Sequence, residues 1–219
     1  MPSKRKSAGS QGSGGNDDRQ AEVKIIGGHF RGRRLSYHGD PVVRPMKHRT
    51  RESIFNLVST ACTGRHAVDL FAGTGALGLE ALSRGALTAT FIEKHVPSAR
   101  VVEENIRTLA VEDRTTLRVA SAFVWAKRDL PSEAAAAADK PWLVFCSPPY
   151  AFYNERPDEM FDLIRRIQEH APADSLLIVE AEEPFDFDVI RNAQTEIGNS
   201  GDWDVRVYHP AVVGIWQTR

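Results

Sequence analysis

Short apolar segments alternate with helical segments along most of this sequence, and that order restricts the possible fold more than any other feature. The predicted strands are Ala67–Phe71, Thr88–Ile92, Thr116–Val119, Trp142–Cys146 and Ser175–Glu180. The predicted helices are Leu77–Arg84, Val96–Leu109, Phe123–Leu130 and Glu159–His170, each with apolar residues at helical spacing. Strands that alternate with helices form a parallel sheet covered on both faces, so the sequence predicts a doubly wound α/β fold.

Two hairpins are predicted outside this alternation. Near the C-terminus, Trp203–Tyr208 and Val212–Gln217 are close enough to pair as neighbouring strands. Near the N-terminus, Val23–Ile26 reads as a strand that Gly27 and Gly28 interrupt, and residues 31–35 return as a second, basic strand. A helix is predicted over residues 49–61, and the alanine run at 134–138 is predicted to be a surface helix or a loop.

Charge is distributed unevenly along the chain. Residues 1–51 contain 12 Lys or Arg against 4 Asp or Glu, whereas residues 52–219 contain 16 against 25. Residues 1–22 are polar and lack apolar periodicity, so we expect a disordered tail ahead of one domain at 23–219, whose basic extension covers 23–60. A basic segment on an acidic body is typical of a surface that binds a polyanion. The alternative is a charged surface that contacts only solvent. Its candidate phosphate contacts are Arg31, Arg33, Arg34, Arg44, Arg49 and Arg51.

A glycine-rich turn is predicted between the first strand of the alternation and its helix. Residues 73–78 match G-x-G-x-x-G, and Glu93 ends the next strand about 20 residues later, where a carboxylate can meet ribose hydroxyls. Glycines allow a tight turn and a close approach of the backbone to a ligand. By itself this pattern permits a nicotinamide dinucleotide or S-adenosylmethionine, or simply a tight turn without a ligand.

The segment from Ser147 to Tyr150 follows the strand Trp142–Cys146 and contains Pro148 and Pro149. Two prolines fix an extended turn, which aims the Ser147 hydroxyl and nearby carbonyls at one point. The Tyr150 ring could stack on a flipped base, and hydrogen-bond acceptors would orient an exocyclic amine for attack on a methyl group. A proline-rich loop that merely closes the strand is the alternative. Hydride transfer by a nicotinamide dehydrogenase does not require Pro-Pro-Tyr at this position. The two motifs together therefore favour methyl transfer.

Composition excludes several classes of protein. No apolar run approaches the roughly 18 residues that span a bilayer, and the polar N-terminus does not resemble a secretory signal. Two cysteines, Cys62 and Cys146, do not make a disulfide framework and fit a reducing compartment. The histidines lack the spacing of metal ligands, so no metal is predicted. We expect a cytoplasmic protein that is monomeric, since no coiled-coil pattern is present.

The ordered set of motifs resembles the bacterial RsmD-type methyltransferases, which act on guanine N2 in small-subunit ribosomal RNA. The resemblance is carried by Ile25-Ile26-Gly27-Gly28 with Arg31-Gly32-Arg33, by Arg44-Pro45, by Arg49-x-Arg51-Glu52 with Phe55-Asn56, and by residues 69–85. It implies a Rossmann-like class I methyltransferase fold with seven strands, S-adenosylmethionine as the methyl donor, and ribosomal RNA within the small ribosomal subunit as the partner.

The resemblance also assigns roles to residues of this chain. Gly73–Gly78 would hold the methionine part of the donor, Glu93 its ribose, and Ser121 and Ala122 would lie beside its adenine. The cofactor-binding set is therefore Asp69, Phe71, Ala72, Gly73, Thr74, Gly75, Gly78, Glu93, Ser121 and Ala122. The catalytic set is Ser147, Pro148, Pro149 and Tyr150, which would form the target-base pocket.

Ser147 departs from the family pattern, which usually has Asp at this position, and related amino-methyltransferases often have Asn. A serine hydroxyl can accept a hydrogen bond but carries no charge and reaches less far. Ser-Pro-Pro-Tyr is instead similar to the motif of DNA cytosine-N4 methyltransferases. Two alternatives therefore stay open beside guanine-N2 methylation. One is an amino-methyltransferase with another base or DNA as target, and the other is a non-catalytic RNA-binding or assembly factor.

Overall fold

The computed structural model describes residues 23–39, 46–136, 140–190 and 202–217. The predicted tail at 1–22, the candidate phosphate contact Arg44, and positions 137–138 of the alanine run lie outside these ranges. Within them, the chain alternates between strands and helices as the sequence predicts.

The strands are β1 (Val23–Lys24), β2 (Arg34–Leu35), β3 (His66–Asp69), β4 (Thr88–Ile92), β5 (Thr115–Arg118), β6 (Trp142–Cys146), β7 (Leu176–Glu182), β8 (Trp203–Tyr208) and β9 (Ala211–Gln217). The helices are α1 (His48–Val58), α2 (Ala76–Ser83), α3 (Val96–Leu109), α4 (Ala122–Arg128), α5 (Leu130–Ala136), α6 (Phe152–Glu155) and α7 (Pro157–His170). Short 3₁₀ helices cover Ser59–Cys62 and Glu112–Arg114.

The main sheet of the described residues has seven strands in the order β5-β4-β3-β6-β7-β9-β8. Strands β3 to β7 are parallel, whereas β9 is antiparallel to both β7 and β8. The chain proceeds outward from β3 to β5 and then restarts at β6 on the other side of β3. The carboxyl ends of β3 and β6 therefore form the topological switch point, where doubly wound sheets bind their ligands. This is the seven-stranded sheet that the resemblance implies, and its last pair is the predicted hairpin.

Alternate residues of the strands enter two separate cores, one on each face of the sheet. Phe91 and Phe145 point into a core shared with α1, α2, α3 and the N-terminal hairpin. Ile92 and Val144 point into a core shared with α4, α5 and α7. This period of two follows from strand geometry, and burial on both faces explains why the predicted strands read as continuous apolar runs.

The N-terminal β-hairpin is shorter than predicted and is fixed to α2. Strands β1 and β2 pair through only two residues each. The turn between them is held by Glu80, whose carboxylate accepts hydrogen bonds from the backbone N–H groups of Ile26 and Gly27, both at 2.7 Å. Ser83 accepts a hydrogen bond from the Phe30 N–H at 2.8 Å. The basic hairpin is therefore part of the folded domain.

Gly28 allows this turn to approach α2. Its φ is +74°, a left-handed conformation that side chains disfavour, and an added Cβ would lie 1.9 Å from the Ser83 carbonyl oxygen. The second glycine of the pair that interrupts the predicted strand is therefore required by close packing against the helix.

Asn105 on α3 connects the end of the hairpin to the glycine-rich turn. It is fully buried, and its Oδ1 accepts a hydrogen bond from the Ser36 N–H at 2.6 Å. Its Nδ2 donates to the carbonyl of Thr74 at 2.9 Å and to that of Ser36 at 3.1 Å. One side chain thus satisfies backbone groups of two segments that are distant in sequence.

The structure corrects two further details of the sequence prediction. The helix predicted over 49–61 is α-helical only to Val58, and its last turn is the 3₁₀ helix Ser59–Cys62. Helix α6 was not predicted, because a four-residue helix is too short to show periodicity. The alanine run belongs to α5 as far as Ala136.

Candidate active site

A cavity of about 350 Å³ opens at the carboxyl ends of the parallel strands. This volume lies within the range of about 300–1,000 Å³ that is usual for small-molecule sites. Of the predicted cofactor-binding residues, the cavity is lined by Phe71, Ala72, Gly73, Thr74, Glu93, Ser121 and Ala122. All four predicted catalytic residues, Ser147, Pro148, Pro149 and Tyr150, also line it. The two motifs, about 70 residues apart in the sequence, therefore meet in one cavity.

Three of the predicted cofactor-binding residues, Asp69, Gly75 and Gly78, do not line the cavity and support the turn from behind. Gly75 has a φ of +78°, and an added Cβ on Gly78 would lie 2.4 Å from the Phe91 ring. The Gly78 N–H donates to Asp69 Oδ2 at 3.2 Å. These residues set the path of the backbone and the packing of α2 on β4.

Asp69 is a buried carboxyl group at the end of β3. Its Oδ1 has no hydrogen-bond partner among the described residues, and burial raises the pKa of Asp69 from 3.8 to about 7. The hydrogen bond from Gly78 opposes this shift only in part. The group therefore favours its protonated form below neutral pH.

We expect Asp69→Asn to stabilise the protein increasingly as the pH rises from about 4 to 7. The unfolded chain loses this proton near its ordinary pKa, whereas the folded chain keeps it to about 7. The native carboxyl group thus favours folding at low pH, and this contribution is lost as the pH rises through the folded pKa. Urea unfolding of both proteins at several pH values measures the difference in the free energy of unfolding. A difference that stays constant from pH 4.5 to 7.5 would contradict the shift.

Glu93 lies beside the glycine-rich turn in the wall of the cavity. Its carboxylate accepts hydrogen bonds from the backbone N–H of Gly73 at 2.9 Å and from that of His95 at 2.7 Å. Each carboxylate oxygen can accept a further hydrogen bond. A ligand with vicinal hydroxyl groups could therefore donate to Glu93 without displacing either backbone contact.

An aromatic cluster that the sequence did not predict forms one side of the cavity. The ring centroids of Phe71, Phe123 and Phe152 are 6.0–6.2 Å apart. The Lys94 ammonium lies 5.3 Å from the Phe152 ring, and the Arg156 guanidinium lies 4.7 Å from the Phe123 ring. Only Phe71 was predicted, since a phenylalanine on a helix is indistinguishable from a core residue in the sequence. The cluster offers flat apolar surfaces suited to a purine.

Glu180 is the second functional feature that the sequence did not predict. It lies on β7, beside β6, and only 4% of it is exposed. Its carboxylate accepts hydrogen bonds from the Ser147 hydroxyl and, at 2.8 Å, from the Tyr150 hydroxyl. Burial raises the pKa of Glu180, although these two hydrogen bonds oppose the shift. The sequence did contain a signal, because Glu180 directly follows four apolar residues at the end of the predicted strand, where an acid is rarely buried.

The five candidate phosphate-binding arginines that the structure describes are all outside the cavity. Arg31, Arg33, Arg34 and Arg49 are exposed. The Arg33 guanidinium also donates to the carbonyl of Thr108 at the end of α3.

Arg51 does not fit the prediction of a phosphate contact. It is only 2% exposed, and its guanidinium donates to the carbonyl of Lys24 at 2.6 Å. Burial lowers the pKa of Arg51, and nearby Glu80 partly offsets the effect. Arg51 instead holds β1 against α1, because a buried guanidinium needs acceptors within the fold.

Neither a metal site nor a membrane span is formed by the residues that the structure describes. In that part of the chain, no three His, Cys, Asp or Glu side chains are grouped as metal ligands would be. Across the same ranges, every helix is too short or too polar to cross a bilayer.

Residues 23–200 match the family described as conserved hypothetical protein 95. Ribosomal RNA small subunit methyltransferase D of Escherichia coli K12 is 33% identical over 135 residues, which are 62% of this chain and 64% of that protein. The protein of the same name from Haemophilus influenzae is 39% identical over 90 residues, or 41% of this chain and 47% of that one. The matched regions thus span less than two thirds of these relatives. The solved structure of Escherichia coli yhhF has a TM-score of 0.67 and 25% identity, and covers 90% of this chain and 98% of that one.

Proposed function

The chain belongs to the conserved hypothetical protein 95 family, and we propose that it methylates the exocyclic N2 amino group of a guanine in small-subunit ribosomal RNA. S-adenosylmethionine is the methyl donor. The observation that carries this proposal is one cavity that joins the glycine-rich turn and Glu93 to Ser147, Tyr150 and Glu180. The name of the Escherichia coli and Haemophilus influenzae relatives supports ribosomal RNA as the substrate.

The donor half of the cavity fits S-adenosylmethionine. The turn at Gly73 and Thr74 presents backbone to the amino-acid end, and Glu93 retains acceptor capacity for the ribose hydroxyls. Ser121 and Ala122 adjoin the Phe71 cluster, which suits an adenine ring. When bound, the donor supplies an electrophilic methyl group on a positively charged sulfur.

The acceptor half fits a flipped base. An enzyme that modifies a base atom must remove the base from its stack and hold it by stacking and by hydrogen bonds to its edge. Tyr150 offers an aromatic ring, while Ser147 and Glu180 offer oxygen acceptors for an amino group. These residues hold the amine in line for attack, which is catalysis by positioning.

The N-terminal extension supplies the contact to RNA in this proposal. We take residues 23–60 as the extension of one domain at 23–219. Arg31, Arg33, Arg34 and Arg49 present positive charge on its surface. Phosphate contacts fix the position of a nucleic acid without reading its sequence. We place the protein in the cytoplasm as a monomer that meets its RNA within the small ribosomal subunit.

We expect Arg31→Glu to weaken RNA binding and to flatten its dependence on salt. Each phosphate interaction that the substitution removes should lower the slope of log K against log salt by roughly 0.7–0.9. Arg128→Glu on α4 is the matched control, since it makes the same charge change on the helix layer opposite the hairpin. Filter binding of small-subunit RNA between 50 and 300 mM salt gives both slopes. Equal slopes for the two variants would contradict a role of the hairpin in RNA binding.

The direct test of the proposed function is transfer of labelled methyl from S-adenosylmethionine to small ribosomal subunits that lack the modification, followed by nucleoside analysis. Labelled N2-methylguanosine is the expected product. Another labelled nucleoside, such as the methylated cytosine that the Ser-Pro-Pro-Tyr motif suggests, would overturn the choice of base. No label, with donor binding shown by calorimetry, would instead favour a non-catalytic RNA-binding factor.

A further inference from the structure

Glu180 is placed at the target-base end of the cavity with its orientation fixed. The Ser147 hydroxyl donates to Oε2 and the Tyr150 hydroxyl donates to Oε1 at 2.8 Å. The buried Tyr153 hydroxyl donates to the backbone carbonyl of Glu180 at 3.0 Å. A carboxylate that accepts from two hydroxyls, on a backbone that Tyr153 also contacts, is pre-organised, so it does not have to reorient when a ligand binds.

We propose that Glu180 is the specificity-determining residue for guanine, and that its carboxylate accepts hydrogen bonds from N1–H and from the 2-amino group of the flipped base. This inference rests on the proposed function and adds to it the residue that reads the base. Ser147 also contacts the base: its hydroxyl oxygen, oriented by Glu180, accepts a hydrogen bond from the same amino group.

The choice of guanine follows from the edges of the bases. Guanine presents two adjacent donors, N1–H and the 2-amino group, which match the two oxygens of an ionised carboxylate. Adenine and cytosine present an amino group beside an unprotonated ring nitrogen, whose lone pair would face a carboxylate that only accepts. A site of this kind therefore disfavours the cytosine target that the Ser-Pro-Pro-Tyr motif suggested.

Glu180 has enough acceptor capacity for this role. A carboxylate has about four lone-pair positions, and the hydroxyls of Ser147 and Tyr150 use two of them. Because the Ser147 proton is directed at Glu180, the lone pairs of the Ser147 oxygen remain for the amine. The pair thus replaces the acid that usually stands at position 147 in the family, with the negative charge supplied by the neighbouring strand.

The same pair accounts for the proton that the reaction releases. The N2 lone pair forms the new N–C bond as the methyl–sulfur bond breaks, and the positive charge passes from sulfur to nitrogen. The nitrogen then loses one proton, which Glu180 accepts directly or through the Ser147 hydroxyl. Burial raises the pKa of Glu180, so its carboxylate is a better proton acceptor than an exposed glutamate.

The decisive test pairs Glu180→Gln with a change in the base. After the labelled nucleotide has been mapped, small-subunit RNA is prepared with either guanine or 2-aminopurine at that position. 2-Aminopurine keeps the 2-amino group but has an unprotonated N1. Single-turnover methylation and RNA binding are measured for both RNAs, and donor binding is measured by calorimetry.

For the native protein, we expect guanine RNA to react at least about 10-fold faster than 2-aminopurine RNA, since one wrong donor–acceptor contact costs about 1–3 kcal/mol. Glu180→Gln should react about 100-fold more slowly with guanine, the loss typical of removing one preorganised group. It should also reverse the preference, because the amide NH₂ can donate to N1 of 2-aminopurine. Glu169→Gln, the same change at an ion pair on the surface of α7, should alter nothing.

Several results would overturn the inference. The inference fails if Glu180→Gln methylates guanine RNA within about threefold of the native rate. It also fails if the substitution slows methylation of both RNAs equally while donor binding is intact. If Glu180→Gln fails to fold, equal rates of the native protein on the two RNAs would overturn it. Failure of the proposed function is separate, since native protein would then leave guanine RNA unlabelled.

Discussion

Glu80→Ala is expected to lower the free energy of unfolding by about 3–5 kcal/mol, the cost of removing one partner from a buried ion pair. Glu80 has no exposed surface, and its carboxylate accepts hydrogen bonds from Ile26, Gly27 and the Arg84 guanidinium. The substitution leaves the two backbone N–H groups without this acceptor in a partly buried turn. It also removes a charge that faces Arg84 at 2.8 Å.

Glu103→Ala is the matched control for this prediction. Glu103 on α3 also pairs with an arginine four residues later, Arg107, but both side chains are more than half exposed. Exposed pairs of this type contribute under about 1 kcal/mol. Urea unfolding with circular dichroism gives both free energies. A loss for Glu80→Ala no larger than that for Glu103→Ala would show that the hairpin is held in some other way.

The loss of stability in Glu80→Ala should be largest in the hairpin, since Glu80 connects the hairpin to α2. Hydrogen exchange in Glu80→Ala is expected to increase first at Ile26 and Gly27, with strands β3 and β6 still protected. If the hairpin exchanged no faster than in the native protein, the carboxylate would not be the group that fixes it.

Tyr150→Ala is expected to lower the rate of methyl transfer by about 10- to 100-fold, the equivalent of the 1–3 kcal/mol that one base–aromatic stack contributes. The residue also donates to Glu180, so the substitution removes both the ring and one of the contacts that orient the carboxylate. Donor binding should remain close to native, because the glycine-rich turn and Glu93 are on other strands. The ring rather than the hydroxyl carries most of this effect.

Tyr150→Phe separates the two contributions, since it keeps the ring and removes only the hydroxyl. We expect this variant to lose about 10-fold, near the lower limit of the 1.5–3 kcal/mol that a hydrogen bond to a charged group contributes, because Ser147 still orients the Glu180 carboxylate. Single-turnover rates and calorimetric donor binding are measured for both variants. Equal losses of rate in Tyr150→Ala and Tyr150→Phe would rule out stacking and assign the role to the hydroxyl. Near-native turnover of Tyr150→Ala would remove Tyr150 from the site.

The sequence by itself predicted the sheet and the two motifs, because both depend on local patterns. The alternation of apolar strands with amphipathic helices indicated a parallel sheet, and several boundaries, such as those of β4 and α3, were confirmed to the residue. Glycines and prolines have local backbone requirements, so the turns at Gly73 and Pro148 could be recognised from spacing. Parallel strands then bring these turns to the same edge of the sheet.

Burial and contacts between distant segments were decided by the tertiary structure. Arg49 and Arg51 look alike in the sequence, yet α1 directs one to solvent and the other into the fold, where it bonds to Lys24. Glu80 is a typical helix residue in the sequence, and only packing of the hairpin makes it a buried acceptor.

Glu180 shows most directly what the sequence alone could not predict. The sequence left Ser147 as a residue without the charge that its family usually supplies, and the neighbouring strand order β6-β7 brings a carboxylate beside it. Strand order is a long-range property, because it depends on which strands pair across dozens of residues and not on the residues next to each motif. The sequence therefore determined the parts of the candidate site, and the order of the strands decided which acid lies beside Ser147.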